Sequence, residues 1–142
     1  MRNVRQILEA KPGRLVAVPK EAPVLEVVRL MAEHHIGSVL VMQGEELVGI
    51  ATERDYARKV ILQGRSSAET PVAKIMSSPV VVVSPVDTAQ TCMALMTERR
   101  IRHLPVVEEG RVLGLVSIGD LVKAVIEDQR EEIAQLQSYI AS

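Results

Sequence analysis

Residues Gly49-Ile50-Ala51-Thr52-Glu53-Arg54-Asp55 read as a glycine, two aliphatics, a hydroxyl residue, two variable positions and an aspartate, and Gly114-Leu115-Val116-Ser117-Ile118-Gly119-Asp120 repeats the pattern. The second stretch follows the first at an offset of 65 residues, and the same offset holds well beyond it. Val16/Val81, Val18/Val83, Leu30/Leu95, Met31/Met96, Glu33/Glu98, Ile36/Ile101 and Val41/Val106 are identical pairs. Residues 16–56 align with 81–121 without a gap, so the chain carries a duplicated unit. Upstream, Val4-x-x-Ile7-Leu8 echoes Val72-x-x-Ile75-Met76 once three residues are inserted around Pro12-Gly13-Arg14. Each copy therefore starts with a short apolar turn.

Within each copy the hydrophobic period changes in one order. A β-branched run, Leu15–Val18 or Val80–Val83, ends at Pro19 or Pro85. Apolar residues then recur at helical spacing, as Val24, Val27, Val28 and Met31 and as Ala89, Cys92, Met93 and Met96. Two strand-like runs flank a turn, Val39–Met42 with Leu47–Ala51, and Leu104–Val107 with Val112–Val116. A second helix begins near Thr52 or Ser117. The order predicts an α/β (α+β) fold of two β-α-β-β-α motifs packed as a pseudo-twofold pair, since neither copy is large enough to bury both faces of its strands. A short N-terminal helix and an extended C-terminal helix complete it. The expected boundaries are 1–62 for motif 1, 63–74 for a linker containing Gly64, Ser66, Ser67 and Pro71, 75–124 for motif 2, and 125–142 for a helical extension. In that extension Ile126, Ile133, Leu136 and Ile140 keep helical spacing past the end of the repeat, and such a helix is expected to pack on something else.

Composition removes several function classes. The 142 residues carry 17 Lys and Arg against 18 Asp and Glu, a net charge of -1, which argues against a protein that coats nucleic acid. With two Tyr and neither Phe nor Trp, the platforms that stack single-stranded bases are missing. One cysteine, Cys92, suits a reducing compartment, and no run approaches the roughly 18 apolar residues of a membrane span, so a cytoplasmic protein is expected. Catalysis finds little support. His34 and His35 are adjacent and diverge on a helix, Cys92 sits at a core position, and neither a P-loop nor a G-x-G-x-x-G cradle occurs, so no catalytic residue and no metal site is expected.

Thr52-x-x-Asp55 and Ser117-x-x-Asp120 stand where a strand meets a helix, and the plain reading is a capping box that satisfies the first free N–H groups. The same groups suit a nucleotide, because a helix N-terminus attracts phosphate and a carboxylate accepts from ribose hydroxyls. Basic residues gather at Arg54, Arg58, Lys59 and Arg65, and at Arg99, Arg100, Arg102 and His103. Taken singly, each fits a solvated helix face with Glu33, Glu53 and Glu98 as partners. Together they suit a compact polyanion.

The repeated Gly-h-h-(Thr/Ser)-x-x-Asp, with Ile101-Arg102-His103-Leu104-Pro105-Val106, resembles a pair of CBS domains, the arrangement called a Bateman module, and is similar to the stand-alone two-CBS proteins of bacteria and plant organelles. The resemblance implies two clefts between the copies. One would draw on Thr52, Glu53, Arg54, Asp55, Val80, Val81, Val82, Arg102, His103, Leu104 and Pro105. The other would draw on Leu15, Val16, Ala17, Gly37, Ser38, Val39, Val116, Ser117, Ile118, Gly119 and Asp120. Arg58, Lys59, Arg65 and Arg100 are further phosphate candidates. The implied ligands are adenosyl compounds: AMP, ADP, ATP, NAD(H) or S-adenosylmethionine. Asp55 and Asp120 would hold ribose hydroxyls, Thr52 and Ser117 phosphate or ribose, and Arg54, Arg102 and His103 phosphate charge. Gly37-Ser38 replaces the cationic Arg102-His103 pair, so phosphate binding is expected in the first cleft more than in the second. The resemblance also implies a homodimer that signals to a regulated protein. The competing readings are a structural dimerisation module with decayed or partly vacant sites, and, below it, an enzyme acting on a nucleotide.

Overall fold

The computed structural model describes residues 2–11, 13 and 15–141. Pro12 and Arg14, where the three-residue insertion was expected, lie outside the described residues, as do the terminal Met1 and Ser142. The elements run α1 (Val4–Ala10), β1 (Ala17–Val18), α2 (Val24–His34), β2 (Ser38–Gln43), β3 (Glu46–Thr52), α3 (Glu53–Asp55), α4 (Ala89–Arg99), β4 (His103–Glu108), β5 (Arg111–Ser117) and α5 (Ile118–Ala141). The mixed α+β architecture and the repeated order of elements agree with the sequence.

The chain folds as two compact units, one of Arg14–Val81 with Gly110–Val112, the other of Met1–Gly13, Val82–Glu109 and Leu113–Ser142. The lead segments are thus exchanged: α1 precedes the first copy in the chain but folds onto the second. Val4 N–H donates to the Asp87 carbonyl at 2.8 Å and Arg5 N–H to the Pro85 carbonyl at 3.0 Å. The turn at Val72–Lys74 precedes the second copy and folds onto the first in the same way, Val72 N–H donating to the Ala22 carbonyl at 2.8 Å and Ala73 N–H to the Lys20 carbonyl at 3.1 Å. Bridges Asn3 to Thr88 and Pro23 to Pro71 complete the correspondence. Val4, Ile7, Val72 and Ile75 are buried, and burying a side chain of this kind contributes about 1.5–3 kcal/mol. A segment as short as α1 has too few backbone bonds to persist without such packing.

In the first copy β1 pairs in parallel with β2, and β2 pairs antiparallel with β3 across a two-residue turn in which Gly44 has φ 62. Positive φ at the first turn position is what glycine permits. Val39 and Val41 enter a core with Val18, Val24, Val27, Met31, Ala51, Val60, Val72 and Ile75, while Ser38 and Leu40 alternate to the other face. Helices α2 and α4 both end on a residue in the left-handed conformation, His35 at φ 53 and Arg100 at φ 56, followed by matching 3.0 Å bonds from Ile36 to Met31 and from Ile101 to Met96.

Two expectations need correction. Val80–Val83 is not a strand; it makes a single parallel bridge, Val83 to Val106, and the second sheet has only β4 and β5. Proline explains the loss. In the first copy Leu40 N–H donates to the Val16 carbonyl, but the equivalent of Leu40 is Pro105, which has no N–H to offer Val81. The helix starting at Glu53 also changes form: after α3 the Tyr56–Ile61 segment is a wide π turn, with Leu62 N–H donating to the Ala57 carbonyl.

The exchanged segments meet the hairpins at two equivalent glycines. A Cβ on Gly49 would overlap the Met76 sulfur and lie 2.8 Å from its Cγ, and a Cβ on Gly114 would lie 2.7 Å from Leu8 Cδ2. Glycine is required there for close approach. Gly49→Ala is expected to destabilise the protein by about 1–3 kcal/mol through overpacking, and Met76→Ala in the same chain to recover part of that loss. Urea denaturation of the two single variants and the double variant checks this.

Candidate functional site

Both Gly-h-h-(Thr/Ser)-x-x-Asp stretches run from the end of a hairpin strand into the first turn of a helix, and both form the capping box that their spacing predicts. Thr52 N–H donates to Asp55 Oδ2 at 3.0 Å and Asp55 N–H to Thr52 Oγ1 at 3.1 Å. Ser117 N–H donates to Asp120 Oδ2 at 2.8 Å and Asp120 N–H to Ser117 Oγ at 3.2 Å. Each box pins a carboxylate at a helix start, where the partial positive charge of the free N–H groups favours it.

The start of the preceding hairpin strand is tied to the same cap. Glu53 N–H donates to the Gly37 carbonyl at 3.1 Å and Ile118 N–H to the Arg102 carbonyl at 2.9 Å, equivalent bonds in the two copies. Ser38 is the register partner of Thr52. Within one unit the fold therefore gathers Gly37, Ser38, Thr52, Glu53 and Asp55, and within the other Arg102, His103, Ser117, Ile118 and Asp120. The cationic Arg102-His103 pair stands beside Asp120, the carboxylate of its own copy. The Ser38 hydroxyl is buried, with the residue 1% exposed, and among the described residues it has no hydrogen-bond partner.

Each aspartate carries a lysine. Lys59 lies 3.0 Å from Asp55 Oδ1 and also donates to the Ile75 carbonyl, so both carboxylate oxygens of Asp55 are engaged. Lys11 donates to Asp120 Oδ2 and to the Leu115 carbonyl, both at 2.8 Å. The bonds from Ser117 and Lys11 fall on the same oxygen of Asp120. Lys11 was not legible as a site residue: it lies 109 positions from Asp120, at the end of the exchanged lead segment, and no local spacing signals it.

Electrostatics follow from this arrangement. Burial opposes ionisation of Asp120, but hydrogen bonds from Lys11 and Ser117 outweigh it and hold the carboxyl below its usual range. Burial pushes the His103 imidazole below 6.5, Lys11 and Arg102 acting in the same direction and Asp120 against them, so His103 is neutral at pH 7. Burial, with Asp87, pushes the Cys92 thiol up to about 11, which leaves it a core side chain and not a nucleophile. Among the described residues no three His, Cys, Asp or Glu side chains gather as metal ligands, and no helix is long and apolar enough to cross a membrane.

The remaining sequence candidates are dispersed. Leu104, Pro105 and Val116 are buried, Val80 and Val81 half-buried, and Arg58, Arg65, Val82 and Gly119 exposed. Leu15 and Ala17 are exposed beside half-buried Val16, whose carbonyl is held by Leu40. Arg100 occupies the left-handed cap of α4.

The family profile of the CBS domain matches residues 4–61 and, a second time, 72–127. The chain belongs to the CBS-domain family. It is 45% identical over 122 residues to the CBS domain-containing protein CBSX3, mitochondrial, of Arabidopsis thaliana, an alignment covering 82% of this chain and 59% of the plant protein. This chain thus matches less than two thirds of that relative's length. A solved protein with CBS domains from Burkholderia ambifaria is 53% identical, with a TM-score of 0.86 over 89% of this chain and 96% of its own. Two more distant CBS structures share the fold alone, one from Pyrobaculum aerophilum complexed with AMP at 24% identity and TM-score 0.74, and the CBS pair of MJ0100 with 5-methylthioadenosine and S-adenosyl-L-methionine at 22% and 0.79. CBS-domain proteins are in general regulatory and not catalytic.

The depressed His103 gives acid sensitivity a sign. The unfolded chain takes up a proton near pH 6.5 while the folded chain keeps His103 neutral to lower pH, so the unfolded state binds more protons in that window. Stability is therefore expected to fall as the pH drops through 6.5, and His103→Gln to flatten that dependence. Urea midpoints at about pH 7.5 and about pH 5.5 for both proteins measure it.

Proposed function

We propose that the chain is a non-catalytic regulatory module that binds adenosyl nucleotides, AMP, ADP, ATP or NAD(H), and passes their occupancy to a regulated protein. The carrying observation is the pair of carboxylates pinned at helix starts, each beside a hydroxyl residue and the first residues of a hairpin strand. Asp120 and Asp55 hold ribose hydroxyls, Ser117 and Thr52 phosphate or ribose, and Arg102, His103 and Arg54 phosphate charge. The AMP and S-adenosylmethionine held by two distant CBS proteins support the adenosyl class. The module works as a homodimer, and its single buried cysteine suits the cytoplasm.

The two carboxylates are unequal. Ser117 and Lys11 both use Oδ2 of Asp120, which leaves Oδ1 for a ribose hydroxyl, while Asp55 has both oxygens engaged by Thr52 and Lys59. The Asp120 set is the tighter nucleotide site, with Lys11 adding charge for phosphate. The engagement of Asp55 favours a second reading for its copy, a vacant site kept for its structural cap.

Calorimetric titration of AMP, ATP and NADH into nucleotide-free protein tests the proposal. Hydrogen bonds to charged groups are worth about 1.5–3 kcal/mol, so Asp120→Ala is expected to weaken AMP at least about tenfold, Asp55→Ala less. Lys11→Met is expected to weaken ATP more than adenosine. A phosphate brought to neutral His103 favours its protonation, so AMP affinity is expected to rise as the pH falls toward 6. Unchanged affinity in both aspartate variants would overturn the assignment.

A further inference from the structure

Helix α5 spans 24 residues, about 36 Å, and only Leu121 and Ala124 along it are buried. The side that meets its own unit is well defined. Leu121 and Ala124 lie on it, and so do Asp128 and Glu131, which Arg2 grips at 2.7 Å each, with Glu127 at 3.8 Å on its flank. At about 100° per residue, Val122, Ile126, Gln129, Ile133, Leu136 and Ile140 fall on the opposite side. Their spacing of four and three residues is a heptad seam. Ile126, Ile133 and Ile140 take the a positions, and Val122, Gln129 and Leu136 the d positions. Ile133, Leu136 and Ile140 are 54%, 62% and 82% exposed.

We infer that this seam pairs α5 with α5 of a second copy as a parallel, in-register two-stranded coiled coil. Three features of the seam select that occupant. All three a positions are β-branched Ile, and d carries Leu136 beside Val122 and Gln129; β-branched residues at a with Leu at d favour two parallel strands. The one polar layer, Gln129 at d, finds a matching amide when the partner is the same sequence in the same register, and out of register it would face an aliphatic side chain. The positions flanking the seam also suit it: in register, Glu132 of one helix meets Gln137 of the other, and Arg130 meets Val125, so no like charges oppose each other, whereas an antiparallel pair crossing at this level would bring two Glu132 side chains together. Arg2 keeps the seam turned away from the unit that carries it. The inference deepens the homodimer proposed above and rests on it.

The full chain is tested by sedimentation equilibrium, with Ile133→Glu and Leu136→Glu introduced together. These side chains are exposed, so the variant is expected to fold while the mass of the assembly drops about twofold. Two cysteine variants give a second measurement, since the native Cys92 is buried. Oxidised Gln129→Cys is expected to form a disulfide between copies, and Gln135→Cys, on the side facing Arg2, to form none. An assembly of unchanged mass in the double variant overturns the coiled coil and leaves the homodimer standing; a wild-type chain that is monomeric overturns both. Should the double variant fail to fold, the cysteine pair decides, and absence of the Gln129→Cys disulfide overturns the inference.

Discussion

The close approach of each lead segment to a hairpin glycine carries the rest of the structure. Met76 rests where a Cβ of Gly49 would be, and Leu8 where a Cβ of Gly114 would be. That contact fixes a short helix or turn with little stability of its own and places Val4, Ile7, Val72 and Ile75 in two cores. Because the lead segments are exchanged, each unit is completed by chain from the far side of the repeat. The exchange also delivers Lys11 to Asp120, so the same packing that builds the core sets the charge at the candidate site.

Both aspartates act twice in principle. Each closes a capping box, which satisfies backbone N–H groups and starts a helix, and each presents a carboxylate beside a strand end. The structural duty does not exhaust the group when it uses one oxygen, as at Asp120, and comes close to doing so when it uses both, as at Asp55. Asymmetry between the copies thus arises from which lysine is near, Lys59 one turn along the chain or Lys11 from the exchanged segment. His103, held neutral by burial beside Asp120, adds a titratable group to that cap.

Much of this was legible beforehand. Helical spacing located α2, α4 and α5, paired apolar runs flanking a turn located the hairpins, and Thr-x-x-Asp and Ser-x-x-Asp located the helix starts, because each signal depends on residues close to one another in the chain. The lost strand has a nonlocal cause. Val80–Val83 has the β-branched composition of a strand, but pairing is decided by its neighbour, and Pro105 withholds the N–H that Val81 would need. Each lead turn belongs in sequence with the copy it precedes, as the family match also has it, while its backbone hydrogen bonds go to the other copy.

The sequence by itself determined the duplication, the order of elements, the capping boxes and the residue types at the candidate site. These follow from short-range spacing and from self-similarity at one offset, both of which are local properties of a string. Tertiary structure alone decided which segment completes which core, that Lys11 holds Asp120, that Arg102 and His103 stand with Ser117 and Asp120, and that one side of α5 is gripped by Arg2. The two basic contacts join residues 109 and 126 positions apart, and the others depend likewise on packing between elements, which no spacing rule encodes.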